Sequence, residues 1–131
     1  MTLLAHRKLL ETLTRHQVPF VIIGGHAVNY HGHQRGTQDV DAIWIRRGDS
    51  EVALVNALRE MNAYLMMLVT DHGFLDLFDF VPGIPDADPQ HVLNDSVPFK
   101  EFRYVSLDWL RRMKRATDRA SDAEDLRHLG E

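Results

Sequence analysis

The chain has 131 residues, 44% hydrophobic and 26% charged, a composition that indicates one globular domain and excludes disordered and fibrous classes. Its formal net charge of −4 argues against a protein that coats nucleic acid non-specifically. The absence of cysteine excludes disulfides and thiolate metal sites. No apolar run approaches the roughly 18 residues of a membrane span, and the charged N-terminus does not resemble a signal peptide. We therefore expect a single cytoplasmic domain over residues 1–131, with no membrane association.

Hydrophobic periodicity predicts a first helix over about residues 2–15, with leucines along one side. The apolar run at residues 20–23 predicts a short strand that is buried on both faces. Gly24 and Gly25 follow this strand directly, and a short helix is expected from His26 to about residue 31.

Gly32 is expected to end that helix as a left-handed C-cap, and a polar turn then leads into a second strand at residues 39–45. Asp49 or Ser50 can cap a helix that runs to about residue 61. The apolar stripe predicted for this helix consists of Val52, Leu54, Val55, Leu58 and Met61.

The second half of the chain predicts strands at residues 63–70 and 74–81, joined by a hairpin turn at residues 71–73. Residues 82–90 have the composition of a loop, and residues 99–105 form another predicted strand.

Two helices are predicted from about residue 106 to the C-terminus. Ser106 is expected to cap the first, and the capping-box spacing of Ser121 and Glu124 predicts the start of the second, with Leu126 and Leu129 facing inward. The order of elements predicts an α+β or α/β domain with a mixed sheet.

Asp39 and Asp41 are two residues apart on a predicted strand, so their side chains project from the same face while Val40 points away. Adjacent like charges repel each other, and a divalent cation would remove that repulsion. Because carboxylate oxygens are the ligands that Mg²⁺ prefers, the pair is a candidate metal site. The alternative is two solvated aspartates on a strand.

Gly24 and Gly25 permit positive φ and bring backbone amides close to a ligand, which suits an anion such as phosphate. A tight strand-to-helix turn without any ligand is the alternative. Nearby, Arg35 and Thr37 are candidates for contact with phosphate, since the planar guanidinium fork donates two parallel hydrogen bonds. The alternative for Arg35 is a surface position in a polar turn.

These motifs together resemble the nucleotidyltransferase superfold, the DNA polymerase β-like group. The family pattern is an apolar strand, Gly-Gly or Gly-Ser, and then Asp-x-Asp on the next strand. Here thirteen residues separate Gly25 from Asp39. The string "GG-A---HG--R-T-DVD" further resembles a small bacterial branch related to AbiEii-type toxins of toxin–antitoxin systems. Over nearly the whole chain, the resemblance implies a central mixed sheet flanked by helices with a helical C-terminus.

The resemblance also assigns residues in the second half. It maps the third carboxylate to Asp76, although strand alternation alone makes Asp79, on the opposite face, an equal candidate. In the C-terminal pattern the matching residues are Lys114, Arg119, Asp122 and Asp125, with Ser121 where the branch has lysine. Lys114 is expected to reach inward toward nucleotide. The two aspartates are candidate partners of Lys114 or Arg119, or simply acids favoured in a first helical turn.

What the resemblance implies is Mg²⁺-dependent (or Mn²⁺-dependent) transfer of a nucleotide from an NTP such as ATP to an acceptor hydroxyl. Asp39, Asp41 and Asp76 would hold two metal ions and act in catalysis, while Gly24, Gly25, Arg35, Thr37 and Lys114 would bind nucleotide. The acceptor would be RNA, such as a tRNA end, or a protein, and a cognate toxin or antitoxin would be a partner.

Two further patterns have less specific explanations. The arginines at 111, 115 and 119 are four apart and share a face of the predicted helix, which is either a solvated face or a phosphate-binding surface. His26, His31 and His33 suggest zinc, but without cysteine and beside carboxylates Mg²⁺ is favoured, and His31 is expected to be a structural hydrogen-bonder. The alternative for the whole chain is a catalytically inactive binding module or antitoxin subunit.

Overall fold

The computed structural model describes residues 3–63 and 68–130. In chain order its elements are α1 Leu3–Arg15, β1 Phe20–Ile23, α2 Gly24–Tyr30, β2 Asp39–Trp44, α3 Ser50–Glu60, β3 Leu68–Thr70, β4 Gly73–Phe78, α4 Pro89–Asn94, β5 Val97–Phe99, β6 Phe102–Tyr104, α5 Leu107–Thr117 and α6 Ala120–His128. Within these residues, no helix combines the length and apolar character needed to cross a membrane.

The strands form one six-stranded mixed sheet in the order β3-β4-β2-β1-β6-β5. The two inner pairs β2–β4 and β1–β6 are parallel, whereas β1–β2 and both outer hairpins are antiparallel. This arrangement confirms the predicted mixed sheet and the predicted hairpin turn between β3 and β4. The predicted strand at 63–70 is described only from Leu68, and its residues 64–67 lie outside the described part of the chain.

Helices cover both faces of the sheet and create two apolar layers. Helices α1 and α3 cover one face, where Phe20 and Ile22 of β1 contribute to the core. Helices α2, α4, α5 and α6 cover the other face, where Val21 and Ile23 contribute. Strand β1 is therefore buried on both sides, as its continuous apolar sequence predicts.

Alternation along β2 and β4 places the candidate acids on one face of the sheet. Val40 and Leu75 are buried in the layer under α1 and α3. Their neighbours Asp39, Asp41 and Asp76 consequently project to the opposite face, toward α2 and α5.

One strand was predicted over residues 99–105, and the prediction is confirmed for Phe102–Tyr104 but wrong before it, where Phe99 belongs to a separate strand, β5. Lys100 has a positive φ of 54° in the turn between β5 and β6. The two strands pair antiparallel from Val97 and Tyr104 at one end to Phe99 and Phe102 at the other. The chain therefore reverses direction between Phe99 and Phe102.

The prediction of an uninterrupted loop over residues 82–90 is wrong at its C-terminal end, because α4 begins at Pro89. The Asp88 carboxylate accepts a hydrogen bond from the backbone amide of Gln90 at 2.9 Å and caps this helix. Aspartate followed by proline at the first helical position is a start signal that the sequence carries.

Helix α3 has the predicted bounds, and of the predicted apolar stripe Leu54, Leu58 and Met61 face the core while the two valines do not. Val52 and Val55 are exposed, whereas Ala57 is buried and Leu54 and Leu58 pack against the core. The buried face therefore keeps the leucines of the predicted stripe, adds Ala57 and leaves the two valines in solvent.

Helix α6 begins differently from its prediction. Arg119 is the N-cap, and the Asp122 carboxylate accepts a hydrogen bond from the Arg119 backbone amide at 3.0 Å, so Ser121 and Glu124 do not form the capping box. Leu129 is buried as expected, while Leu126 is half-buried. Helix α2 also begins two residues before the predicted start, at Gly24 itself.

Candidate active site

Three carboxylates meet where β2 and β4 lie side by side. Asp41 and Asp76 occupy paired positions of the parallel strands, and Asp39 lies two residues before Asp41 on the same face. One oxygen from each of Asp39, Asp41 and Asp76 can be chosen so that all three lie within 4.8 Å of one another. Three hard oxygen donors in this arrangement can hold a divalent cation.

The electrostatics of these carboxylates show the cost of bringing them together. Burial, followed by the hydrogen bond and the charge of Asp76, raises the pKa of Asp41 to about 7. Burial and Asp76 also raise the pKa of Asp39. Both shifts mean that negative charge at this point is unfavourable without a compensating cation.

Asp79, the alternative third carboxylate, lies away from this group. It follows the end of β4, its side chain is 48% exposed, and it pairs with Arg46 at 3.2 Å. The geometry therefore brings Asp76, and not Asp79, to Asp39 and Asp41.

Gly24 lies directly against the carboxylate cluster. Its φ is +63°, and a Cβ at this position would overlap the Asp41 carboxylate. A Cβ at Gly25 would lie 2.6 Å from Oγ1 of Thr37. Both glycines are thus required by close approach, and Gly24 also by a backbone conformation that side chains disfavour.

Lys114 reaches the site from α5, and its side chain is only 8% exposed. Its Nζ lies 3.2 Å from Oδ1 of Asp122 and 2.9 Å from Oδ2 of Asp125, two buried carboxylates of α6. The expected inward course of Lys114 is therefore observed. The two acids, for which a solvated first helical turn was the alternative, are its partners.

Arg35 lies beside Asp125, one of the two acids that bind Lys114. Its Nε and Nη2 donate to the two oxygens of Asp125 at 2.9 and 3.1 Å, so the guanidinium fork is held by a carboxylate. The Thr37 hydroxyl donates to the backbone carbonyl of Asp39 at 3.0 Å. Thr37 consequently fixes the start of β2, and Arg35 is anchored at the edge of the site.

Asp122 and Arg119 complete this network of ion pairs. Burial alone would raise the pKa of Asp122, but hydrogen bonds from Arg119, Thr117 and Lys114 outweigh it and hold that pKa well below its usual range. Asp122 therefore stays ionised although it is fully buried. The Arg119 side chain is itself 69% exposed.

Two cavities adjoin at the carboxylates. The first has a volume of about 200 Å³ and is named the Asp76 cavity, because Asp76 lines this cavity and not the other. The second has a volume of about 360 Å³ and is named the Gly25 cavity, because Gly25 lines this cavity and not the first. Their shared wall consists of Gly24, Asp39, Asp41, Lys114 and Arg119.

The arginines predicted to share one helix face are divided by the end of α5. Asp118 adopts a left-handed conformation after Thr117, so Arg119 does not continue the row. Arg111 donates to the backbone carbonyl of Leu129 and thereby ties α5 to the end of α6. A continuous basic face is thus absent.

The candidate zinc histidines are separated and have structural contacts. His31 Nε2 donates to the Val105 carbonyl at 2.8 Å, as expected for a structural hydrogen-bonder. His26 is hydrogen-bonded at 2.8 Å to His6, a buried residue of α1. His6 was not among the predicted site residues, because the predicted pattern of that helix contained only leucines. Among the described residues, the three aspartates are the one group suited to a metal ion.

No family model matches the chain, and no curated protein does either. Among solved structures it is similar to the antibiotic-resistance factor ANT(2'')-Ia. The solution structure gives a TM-score of 0.68 at 15% identity, over 95% of this chain and 80% of that chain. The crystal structure in complex with adenylyl-2''-tobramycin gives 0.67 at 15% identity, over 98% and 88%. This likeness confirms the predicted nucleotidyltransferase fold, whereas the AbiEii-type branch stays a prediction.

Proposed function

We propose that the protein is a metal-dependent nucleotidyltransferase that moves a nucleoside monophosphate from an NTP to an acceptor hydroxyl. The observation that carries this proposal is the convergence of Asp39, Asp41 and Asp76 within 4.8 Å on one face of the sheet. The similarity of fold to ANT(2'')-Ia supports it.

The residues at this point fit Mg²⁺ or Mn²⁺. All three donors are hard carboxylate oxygens, and burial together with the neighbouring Asp76 carboxylate raises the pKa values of Asp39 and Asp41, a cost that a cation would offset. Gly24 keeps the space beside the Asp41 carboxylate free of a side chain. When bound, two such ions supply charge neutralisation on the triphosphate and lower the pKa of the attacking hydroxyl.

The remaining residues have roles that follow from their positions. Asp39 and Asp41 line both cavities, and because carboxylates repel phosphate they would act on the α-phosphate only through the metal ions that they would hold. The bond from the acceptor oxygen to the α-phosphorus forms as the bond to pyrophosphate breaks. Asp76, which of the two cavities lines only the first, would hold metal through one carboxylate oxygen and take the hydroxyl proton on the other.

The Gly25 cavity suits the triphosphate. Apart from the shared wall it is lined by small or polar residues, including Gly25, Arg35 and Thr37. Lys114 and Arg119 add positive charge from the shared wall, and cations there stabilise the leaving pyrophosphate.

The acceptor and the biological setting belong to the same proposal and are supported by the resemblance alone. An RNA end, such as that of a tRNA, and a protein hydroxyl are the two acceptors. A toxin–antitoxin system in the cytoplasm, with a cognate partner protein, is the proposed setting.

Labelled NTPs test the activity directly. Purified protein is incubated with each NTP separately, with Mg²⁺, and with RNA or protein acceptor pools, and products are analysed by gel and intact mass. We expect transfer by the wild type and by Asp79→Asn, and none by Asp39→Ala. Absence of both NTP binding and transfer would sink the proposal. A stable complex with a partner that Asp39→Ala leaves intact would then favour an inactive binding module.

A further inference from the structure

The two cavities that meet at the carboxylates differ in chemistry. Outside the shared wall, the Gly25 cavity has polar or glycine residues throughout. Outside the same wall, the Asp76 cavity has Asp76, Thr117 and five apolar residues, which are Ile23, Phe78, Pro82, Leu110 and Met113. One side of the site therefore favours phosphate, and the other favours an apolar group.

In-line displacement assigns a direction to each cavity. The attacking oxygen and the leaving pyrophosphate must lie on opposite sides of the α-phosphorus. If the pyrophosphate leaves toward Arg35 and Gly25, the acceptor hydroxyl arrives from the side of Asp76. This assignment rests on the proposed function.

The lining of the Asp76 cavity also restricts the charge of the acceptor. Asp39, Asp41 and Asp76 would be occupied by metal ligation, and among the described residues no other acid lines this cavity. The other charged groups there are cations, Lys114 and Arg119. An ammonium group placed against Phe78 or Met113 would lose its hydration without gaining a counter-ion, which is costly.

Size restricts the acceptor further. The Asp76 cavity measures about 200 Å³, below the roughly 300–1,000 Å³ of sites that hold a drug-sized molecule. It has room for one small ring system between β4 and α5. The leucine and methionine of α5 that form its floor, Leu110 and Met113, are buried in the core and therefore hold its shape.

We propose that the Asp76 cavity receives the acceptor, and that the acceptor presents its hydroxyl on a compact, uncharged ring. Polyamines such as tobramycin, whose adenylyl product is bound by the similar structure of ANT(2'')-Ia, are excluded. The shared fold thus serves an acceptor of different charge in this protein.

Ligand-observed NMR tests the proposal without requiring turnover. The full chain is mixed with Mg²⁺ and non-transferable α,β-methylene-ATP, and binding of p-cresol, adenosine and tobramycin is compared. We expect p-cresol or adenosine to bind at least about tenfold more tightly than tobramycin, a factor typical of apolar-pocket selectivity. The p-cresol and adenosine arms distinguish a phenol from a nucleoside as the source of the ring.

A pair of phenylalanines provides the matched control. Phe78 lines the cavity, whereas its edge-to-face neighbour Phe80 does not. Phe78→Ala is expected to weaken ring binding several-fold and Phe80→Ala to leave it unchanged. Preferential binding of tobramycin by the wild type, or binding of no ring compound, would overturn the inference. If the wild type does not bind α,β-methylene-ATP, that result would instead count against the proposed function. The preference for p-cresol or adenosine over tobramycin would still be measured.

Discussion

The Nζ of Lys114 lies 2.9 Å from Oδ2 of Asp125, and the same carboxylate receives two hydrogen bonds from Arg35. Asp125 is therefore the point where α5, α6 and the segment before β2 are joined electrostatically. Its side chain is only 2% exposed, so solvent does not replace these contacts. The final helix is in this way part of the candidate active site.

Substitution of Asp125 by asparagine is expected to destabilise the fold. The change keeps the shape of the side chain but removes the negative charge that Lys114 and Arg35 share. Breaking a buried ion pair from one side costs on the order of 3 kcal/mol in the free energy of unfolding. Urea unfolding followed by circular dichroism measures this cost.

Glu124→Gln is the control for Asp125→Asn, because Glu124 lies one residue earlier and is half exposed. It pairs with His128 on the surface at 3.0 Å, and exposed pairs contribute about 0–1 kcal/mol. Equal stability losses for the two variants would show that the Asp125 network is not a stabilising element.

Asp41→Asn is expected to stabilise the metal-free protein and to abolish its stabilisation by Mg²⁺. The substitution removes one of three crowded charges, the one whose pKa is raised to about 7 by burial and by Asp76. Melting temperatures with and without Mg²⁺ measure both effects. Asp79→Asn, at an exposed carboxylate paired with Arg46, is the control and should keep the wild-type Mg²⁺ shift. A full Mg²⁺ shift in Asp41→Asn would contradict a metal site at the cluster.

The stability of the metal-free protein is expected to fall as the pH rises from about 4 to 7 through the contribution of Asp41. In this window the unfolded carboxyl is already ionised, whereas the folded one, with a pKa of about 7, still holds its proton. The native state then binds more protons than the unfolded state, so raising the pH favours unfolding.

Mg²⁺ should counteract this pH effect, because the cation and the proton compete for the same oxygens. The Mg²⁺-induced rise in melting temperature is expected to be larger at pH 8 than at pH 5. Thermal denaturation in matched buffers measures it, with Asp41→Asn as the reference that lacks this pH dependence. A shift of equal size at both pH values would count against the coupling.

Gly24→Ala is expected to lower both stability and activity. The φ of +63° costs a side chain about 1–2 kcal/mol, and the added Cβ would displace the Asp41 carboxylate. We expect nucleotidyl transfer to fall by about a hundredfold, the scale of misplacing a catalytic group by about 1 Å.

Gly48→Ala is the matched control, since its φ of +49° also disfavours a side chain while a Cβ there meets no heavy atom within 4 Å. It should lower the melting temperature but keep the transfer rate of the wild type, because Gly48 lines neither cavity of the site. If Gly24→Ala behaved in the same way, close packing of Gly24 against Asp41 would not matter for the reaction.

Local patterns in the sequence were sufficient for much of the fold. The apolar run of β1 predicted a strand buried on both faces, and Ser106 predicted the start of α5, where its hydroxyl accepts from the Trp109 amide at 3.2 Å. The unpredicted helix α4 carries a start signal at Asp88 and Pro89, but its six residues are too short for a periodic pattern.

Errors in the predictions occurred where two local signals compete or where distant segments decide the outcome. The Arg119 guanidinium and backbone amide both bind Asp122 and begin α6 there, although Ser121 and Glu124 have equally good capping-box spacing. In α3, contacts with α1 and the sheet bury Ala57 and leave Val52 exposed. The start of α6 is thus a choice between two competing local capping signals, whereas the buried face of α3 depends on the elements packed against it.

The sequence by itself determined that Asp39 and Asp41 share a face, because strand geometry fixes the direction of every second side chain. Only the tertiary structure decided that Asp76, rather than Asp79, joins them, since this depends on the register between β2 and β4, strands that are distant in the chain. It also decided that Asp122 and Asp125 face inward to Lys114. A buried lysine needs counter-charges, and packing of α6 against α5 supplies them.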